Sequence, residues 1–196
     1  IGLWNLSRLA EALLPLFAAE EADQIKAAED ALKDYPETFR QTWTQAMASK
    51  LGLPDGNHDA FINDTLSALM DGKADFTRVF TALTRHADQA DPSAIIAQFD
   101  QAETAQTWLD QWTAITGGPA AMGSDAKALM RAANPVRIAR NHRVEAAIAA
   151  AEAGEKAPFQ TLLAATARPF DEDARFEAYE TAPEPDEIVH QTFCGT

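Results

Sequence analysis

The sequence is poor in several residue types, and each shortage excludes a class of protein. Cys194 is the single cysteine among 196 residues, so an internal disulfide framework is excluded. Only four valines stand beside 41 alanines, which makes the β-branched residues that favour strands scarce and strong helix formers abundant. We therefore expect an all-α fold without a sheet.

Positive charge is also in short supply. The chain has 16 lysines and arginines against 30 aspartates and glutamates, which gives a formal net charge of −14. Nucleic-acid phosphates and anionic membrane surfaces both require basic patches, so neither is expected as a partner. No apolar run approaches the roughly 20 residues that a membrane span needs. The composition predicts a soluble globular protein.

Apolar residues recur at three- and four-residue spacing along most of the chain, a pattern typical of amphipathic helices. Prolines and glycines separate these stretches, with Pro15 expected to end or kink the first helix. Beyond Arg168 the periodicity is lost among prolines and acidic residues. We predict a helical subdomain at 1–168 and a tail at 169–196, ending around Cys194, that lies extended over the subdomain or is partly disordered.

The stretch 129–154 carries the most information. Pro135 has no N–H and disfavours the helical conformation at Asn134, so one helix ends there. After this break Ile138, Val144 and Ile148 follow a helical period, which predicts a buried apolar stripe on a helix closed by Gly154. Arginines cluster at the entrance to this helix, giving an otherwise acidic chain its one dense basic region.

Several long sequence blocks resemble the selenoprotein O (YdiU-like) family. They read M-R-x-x-N-P-x-x-I-x-R-N-H-R-V-E-x-A-I at 130–148, P-F-Q-x-L-L at 158–163, R-P-F-D-E at 168–172 and T-F-C-G-T at the end. Further blocks are I-G-L-W-N-L-S-R-L-A-E-A-L-L-P-L at 1–16, K-L-G-L at 50–53 and D-F-T-R-V-F at 75–80. The resemblance implies a cytoplasmic protein adenylyltransferase with a pseudokinase fold, which transfers AMP from ATP to Ser, Thr or Tyr hydroxyls of proteins with Mg²⁺ or Mn²⁺.

The resemblance also implies which part of such an enzyme this chain represents. The family's ATP-binding lysine, its glutamate partner, the catalytic loop and the metal-binding aspartate all precede the block that begins at Ile1. The chain starts without methionine inside an apolar pattern, as expected for a fragment. We therefore expect a C-terminal, kinase-lobe-like helical subdomain with no catalytic, nucleotide or metal site and no activity alone.

The expected partners follow from the same interpretation. They are the missing N-terminal catalytic lobe and the protein substrates of the intact enzyme. Apolar surface that the missing lobe would cover is expected to cause self-association of the fragment. The alternative hypothesis is a helical scaffold or protein-docking module without chemistry of its own.

Cys194 is a candidate redox residue. Selenium-containing members of the family carry a cysteine-x-x-selenocysteine pair at this end, and the resemblance implies redox control there. Gln191 occupies the position three residues before Cys194, so a local dithiol cannot form. A role with a cysteine elsewhere remains one hypothesis, and an unreactive terminal thiol, disfavoured as a thiolate by its acidic surroundings, is the other.

Arg137, Arg140 and Arg143 are candidates for contact with a triphosphate or an acidic peptide. The alternative is that they brace the helix against carboxylates and free carbonyls elsewhere in the domain, a task suited to the bidentate guanidinium. We favour bracing, because the family's phosphate-binding groups lie upstream.

Two short motifs imitate kinase signatures but lack essential residues. Asp75-Phe76-Thr77 lacks the glycine of D-F-G, and Asp75 is placed to cap a helix. His142-Arg143-Val144 lacks the aspartate of H-R-D. The four histidines have no metal-ligand spacing, so no zinc site is expected.

Overall fold

A computed structural model describes residues 1–18 and 20–191 of the chain. Across these residues it contains α-helices, one 3₁₀ helix and no strand, which confirms the all-α prediction. The shortage of β-branched residues accounts for this result, since helix formers fill most positions. None of the helices in the described ranges is both long and apolar enough to cross a membrane.

The chain divides into two compact units, Ile1–Met47 and Ala48–Thr196. The division falls inside a helix rather than at a linker, so no proline- or glycine-rich segment in the sequence marks it. The N-terminal unit contains α1 (Gly2–Phe17), α2 (Glu21–Leu32) and most of α3 (Tyr35–Leu51).

The N-terminal unit buries very little of its apolar surface. Helices α1 and α2 pack against each other, yet no residue of α1 is buried and Ala28 is the buried residue of α2. Trp4 on α1 is 64% exposed. Pro15 lies inside the last turn of α1, which runs two residues beyond it, because so short a continuation loses few backbone hydrogen bonds.

The C-terminal unit contains the larger core. Its helices after α3 are α4 (Asp59–Asp71), α5 (Phe76–Gln89), α6 (Ser93–Ile96), α7 (Ala102–Thr116), α8 (Ser124–Ala133), α9 (Asn141–Glu152) and α10 (Ala157–Thr166), followed by a 3₁₀ helix at Ala174–Tyr179.

Two tryptophans of α7 fix the centre of this core. Trp108 and Trp112 are 2% and 0% exposed, and each indole N–H has a buried partner. Trp108 donates to Thr65 Oγ1 at 3.0 Å and Trp112 donates to the carbonyl of Leu51 at 2.8 Å. The two rings lie one turn apart on the same face of α7, and the hydrogen bonds satisfy the polar end of each ring.

Side-chain hydrogen bonds and backbone conformation mark several helix ends. Asp75 caps α5 by accepting the backbone N–H of Arg78 at 2.9 Å, as predicted. Gly154 has a φ of +90° after α9, as expected of a C-terminal glycine. Ser124 is the first helical residue of α8, and its hydroxyl donates to Asp125 Oδ1 at 3.3 Å. The N-cap residue of α4 is His58. Asn57, the residue before it, accepts the backbone N–H of Asp59 through its side chain.

The stripe predicted for α9 is only partly buried. Helix α9 begins at Asn141, so Ile138 lies in the preceding turn and is 39% exposed. Ile148 is 47% exposed as well, whereas Ala147 and His142 are the buried residues of the helix. The prediction that Ile138 and Ile148 are buried is wrong, since the small alanine side chain, and not the isoleucine, faces the core.

Candidate functional site

The candidate site is built around residues 134–143, here called the arginine turn. These residues join α8 to α9 and include the first three residues of α9. Asn134 fixes its start and is 3% exposed. Its side-chain amide donates to the carbonyl of Lys50 at 2.8 Å and to Thr84 Oγ1 at 2.9 Å. The Lys50 ammonium in turn donates to the carbonyl of Ala133 at 2.8 Å. The Lys50 ammonium thus satisfies a carbonyl at the end of α8, where the proline interrupts the helix, and the Asn134 amide satisfies one near the end of α3.

Lys50 also contributes to the arginine turn, although the sequence did not predict this role. Its ammonium also lies 5.7 Å and 5.4 Å from the ring centroids of Phe76 and Phe80. Burial lowers the pKa of Lys50, since the charged form is less well solvated there. The residue belongs to the K-L-G-L block, but periodicity gave no sign that it reaches the arginine turn.

Arg140 forms a buried ion pair with Asp75. Its Nη1 lies 2.6 Å from Oδ2 and its Nη2 lies 3.1 Å from Oδ1, a bidentate arrangement. Burial by itself would raise the pKa of Asp75, but hydrogen bonds from Arg140 and Arg78 outweigh it, so the pKa lies below its usual value. One carboxylate therefore caps α5 and ties that helix to the arginine turn.

Arg137 is 1% exposed, and each of its donor nitrogens has a protein partner. Nε donates to the carbonyl of Ala165 at 3.0 Å, Nη1 to Glu180 Oε1 at 2.9 Å and Nη2 to the carbonyls of Arg168 and Asp171. The guanidinium thus connects α10 to the chain that follows it. Four of its five N–H groups are therefore bonded to protein oxygens, and the side chain is almost fully buried.

Arg143, on the first turn of α9, is partly exposed. Its Nη2 donates to the carbonyl of Ala178 at 3.0 Å, and its guanidinium carbon lies 5.9 Å from the Tyr179 ring centroid. A weaker ion pair joins its Nη1 to Glu187 at 3.9 Å. Like Arg137, it contacts the segment after α10.

The three arginines are therefore close in sequence but have separate partners. Arg140 faces α5, whereas Arg137 and Arg143 face the segment after α10. No pair of them converges on a common open position through their hydrogen bonds. A triphosphate would need several free donors directed at one point, so the observed partners fit bracing better than phosphate binding.

His142 is buried beside them at 7% exposure, and its Nε2 has no hydrogen-bond partner among the residues that the structure describes. Burial lowers the pKa of His142, with the charge of Arg143 adding to the effect and Glu187 opposing it. The side chain lines a cavity of about 300 Å³ together with Arg140, Pro183 and Glu187. No carboxylate in the described part of the chain accepts a hydrogen bond from this Nε2, as would be needed to orient the ring through that atom as a catalytic base.

The remaining candidate residues do not gather into a second site. Cys194 lies outside the described residues. Within residues 1–18 and 20–191, no three of the His, Cys, Asp and Glu side chains are grouped as metal ligands. The His58 ring contacts the carbonyl of Pro54 at 2.9 Å, and His190 is exposed. The donor set here does not fit a Mg²⁺ or Mn²⁺ centre, which requires convergent oxygen ligands.

Comparison with known proteins gives a consistent family. A family model described as "Protein adenylyltransferase SelO" matches residues 1–167. Proteins named "Protein nucleotidyltransferase YdiU" from Rhodopseudomonas palustris (strain BisB5) and Rhizobium meliloti (strain 1021) are each 40% identical to the chain over 200 residues. Each alignment covers 100% of this chain and 41% of the relative. The relative from Rhizobium etli (strain CIAT 652) is 41% identical, with 40% of its length covered. The chain thus spans about two fifths of the length of these relatives.

Proposed function

Because the chain belongs to the SelO family of protein adenylyltransferases, we propose that it forms the helical portion of a cytoplasmic protein nucleotidyltransferase. The reaction proposed for the whole enzyme is transfer of AMP from ATP to Ser, Thr or Tyr hydroxyls of proteins. The observation that carries this proposal is the identity of about 40% to named nucleotidyltransferases along the full length of the chain.

We further propose that ATP and its Mg²⁺ or Mn²⁺ ions are held by residues in the part of the enzyme that this chain does not match. Arg137 and Arg140 support this division, because both are buried and bound to protein carboxylates or carbonyls. In the proposed enzyme the arginine turn is a brace that fixes α5, α9 and α10. By itself the chain is expected to transfer no AMP.

The proposed partner of the N-terminal unit is the remainder of the nucleotidyltransferase. Trp4, Leu9 and Leu16 on α1 are 64%, 54% and 79% exposed, which is unusual for large apolar side chains on one helix. Without such a partner, the same surface is expected to cause self-association of the chain.

A chimera tests the proposed function. The chain would replace the matching region of the Rhizobium meliloti relative, and the product would be incubated with labelled ATP, Mg²⁺ or Mn²⁺ and a protein mixture. We expect label on protein hydroxyls, verified by mass spectrometry. A chimera that is folded by circular dichroism and binds ATP yet transfers no AMP would contradict the proposal.

The alternative is a non-catalytic helical scaffold or docking module. The exposed apolar side chains of α1 favour it as a second candidate, since a docking surface has the same composition. The same chimera distinguishes the two. A scaffold predicts a folded chimera without transfer that still captures a protein through α1, and capture should be lost in Leu9→Glu.

A further inference from the structure

The segment after α10, residues 168–191 and here called the strap, is attached in an unusual way. None of its residues is buried, and the 3₁₀ helix Ala174–Tyr179 contacts α10 without burying a side chain of its own. By contrast, α5 buries residues on several consecutive turns, including Val79 and Phe80. The strap therefore has little hydrophobic attachment, and polar contacts with arginines must hold it in place.

Arg137 provides the innermost attachment. It holds the backbone carbonyls of Arg168 and Asp171 and the carboxylate of Glu180, and it lies 5.6 Å from the Phe176 ring centroid. The backbone N–H of Arg137 also donates to the carbonyl of Pro169 at 3.2 Å. Arg137 thus contacts both the start and the middle of the strap.

Arg85 and Arg143 provide the outer attachments. Arg85 on α5 donates to Glu172 at 2.8 Å and lies 3.6 Å from Glu180, while Arg143 on α9 holds the carbonyl of Ala178. Both arginines are substantially exposed, at 42% and 30% of the side chain. Ion pairs in such positions are weak and screened by salt.

We propose that the strap is a detachable element, locked by Arg137 and fastened by Arg85 and Arg143, that leaves and returns while α4–α10 stay folded. Its negative charge matches the arginines beneath it, so the chain's own strap is the occupant of this arginine-lined surface. One cavity of about 200 Å³ lies between the strap residues Glu177 and Glu180 and the α5 residues Arg78 and Arg85.

The internal hydrogen bonds of the strap make its state measurable. The backbone N–H groups of Arg175 and Phe176 donate to Asp173, and that of Glu180 donates to Glu177. These three amides exchange slowly with solvent when the 3₁₀ helix is docked and fast when it is released. Core amides of α7 report on the rest of the unit at the same time.

Hydrogen exchange of the full chain tests the proposal. Arg137→Lys retains the charge but loses the planar fork, and it is expected to speed exchange of the strap amides by about tenfold or more, with α7 unchanged. Arg143→Gln is expected to give a smaller increase. Arg8→Gln is the matched control, because Arg8 is half-exposed and pairs with Glu11 within α1 rather than with a strap residue, and no change is expected.

A salt titration of the unaltered chain keeps the test valid if Arg137→Lys fails to fold. Raising the salt from about 0.05 M to about 1 M shortens the Debye length several-fold and is expected to speed exchange in the strap alone. Strap and α7 amides that lose protection together, or strap amides that respond to neither salt nor Arg137→Lys, would overturn the proposal.

Discussion

The two units of the chain bury their apolar residues very differently, although both consist of amphipathic helices. Helix α1 has apolar positions at helical spacing, yet none is buried, and Leu16 is 79% exposed. Helix α5 has the same kind of pattern, and its stripe is covered by α6 and α8. The comparison shows that periodicity identifies the face a helix can bury, while the extent of the surface packed against that face decides how much of it is buried.

The largest difference between the units is expected from tryptophan replacement. Trp112→Ala removes a fully buried ring and its bond to Leu51, and it should lower the free energy of unfolding by about 3–5 kcal/mol. Trp4→Ala in the N-terminal unit should change it by about 0.5 kcal/mol or less, since that ring is mostly exposed. Urea titration followed by circular dichroism measures both, and similar losses would remove the contrast.

Loss of an ion pair should also destabilise the C-terminal unit more than the N-terminal unit. Arg140→Leu leaves the Asp75 carboxylate partly buried without its partner, and we expect a loss of about 3 kcal/mol. Arg8→Leu breaks the exposed pair with Glu11 in α1 and should cost about 0–1 kcal/mol. In Asp75→Asn the further change Arg140→Leu should cost less than it does alone, and additive losses would show that the pair is not coupled.

Acidification should weaken the C-terminal unit selectively. Burial lowers the pKa of His86 and of His142 below 6.5, so the unfolded chain binds protons more readily than the folded chain. Stability is therefore unaffected well above pH 6.5 and falls as the pH drops through that value. Residues 1–47 contain no histidine. Hydrogen exchange at about pH 7.5 and about pH 5.5, corrected for intrinsic rates, compares the units, and His86→Gln should reduce the dependence.

The smallest effect on folding is expected from charges on α1. Leu9→Glu and Leu16→Glu lie at exposed positions, so each should change the free energy of unfolding by about 0.5 kcal/mol or less. Both should reduce concentration-dependent association in sedimentation experiments, because they interrupt the apolar surface. Asp64→Asn changes a charge on the exposed surface of α4 and is the control. If both leucine variants associate as strongly as this control and the unaltered chain, the apolar surface of α1 does not cause self-association.

Local chemistry made much of the fold predictable. The caps at Asp75 and Gly154 and the break at Pro135 each depend on residues within a turn or two of the feature. The exposure of Ile148 was not predictable in this way. It depends on which neighbour covers α9, and no spacing within the helix contains that information.

The site was predictable in composition but not in geometry. The sequence singled out Arg137, Arg140 and Arg143 as one cluster, whereas their partners lie 28 to 65 residues away. Glu180 and Asp171 stand in a segment with no periodicity, so nothing local linked them to the arginine turn. Asp75 was identified as a cap, but its second role as the partner of Arg140 required the tertiary structure.

The central claim is that the chain is a supporting helical portion whose arginines bind protein groups rather than nucleotide. Titration of the full chain with ATP, in the presence of Mg²⁺ or Mn²⁺, tests it most directly by isothermal calorimetry. We expect no saturable heat of ATP binding and no transfer of label from ATP to protein. Saturable ATP binding that is lost in Arg137→Lys or Arg140→Gln, while the helical fold is retained, would contradict it.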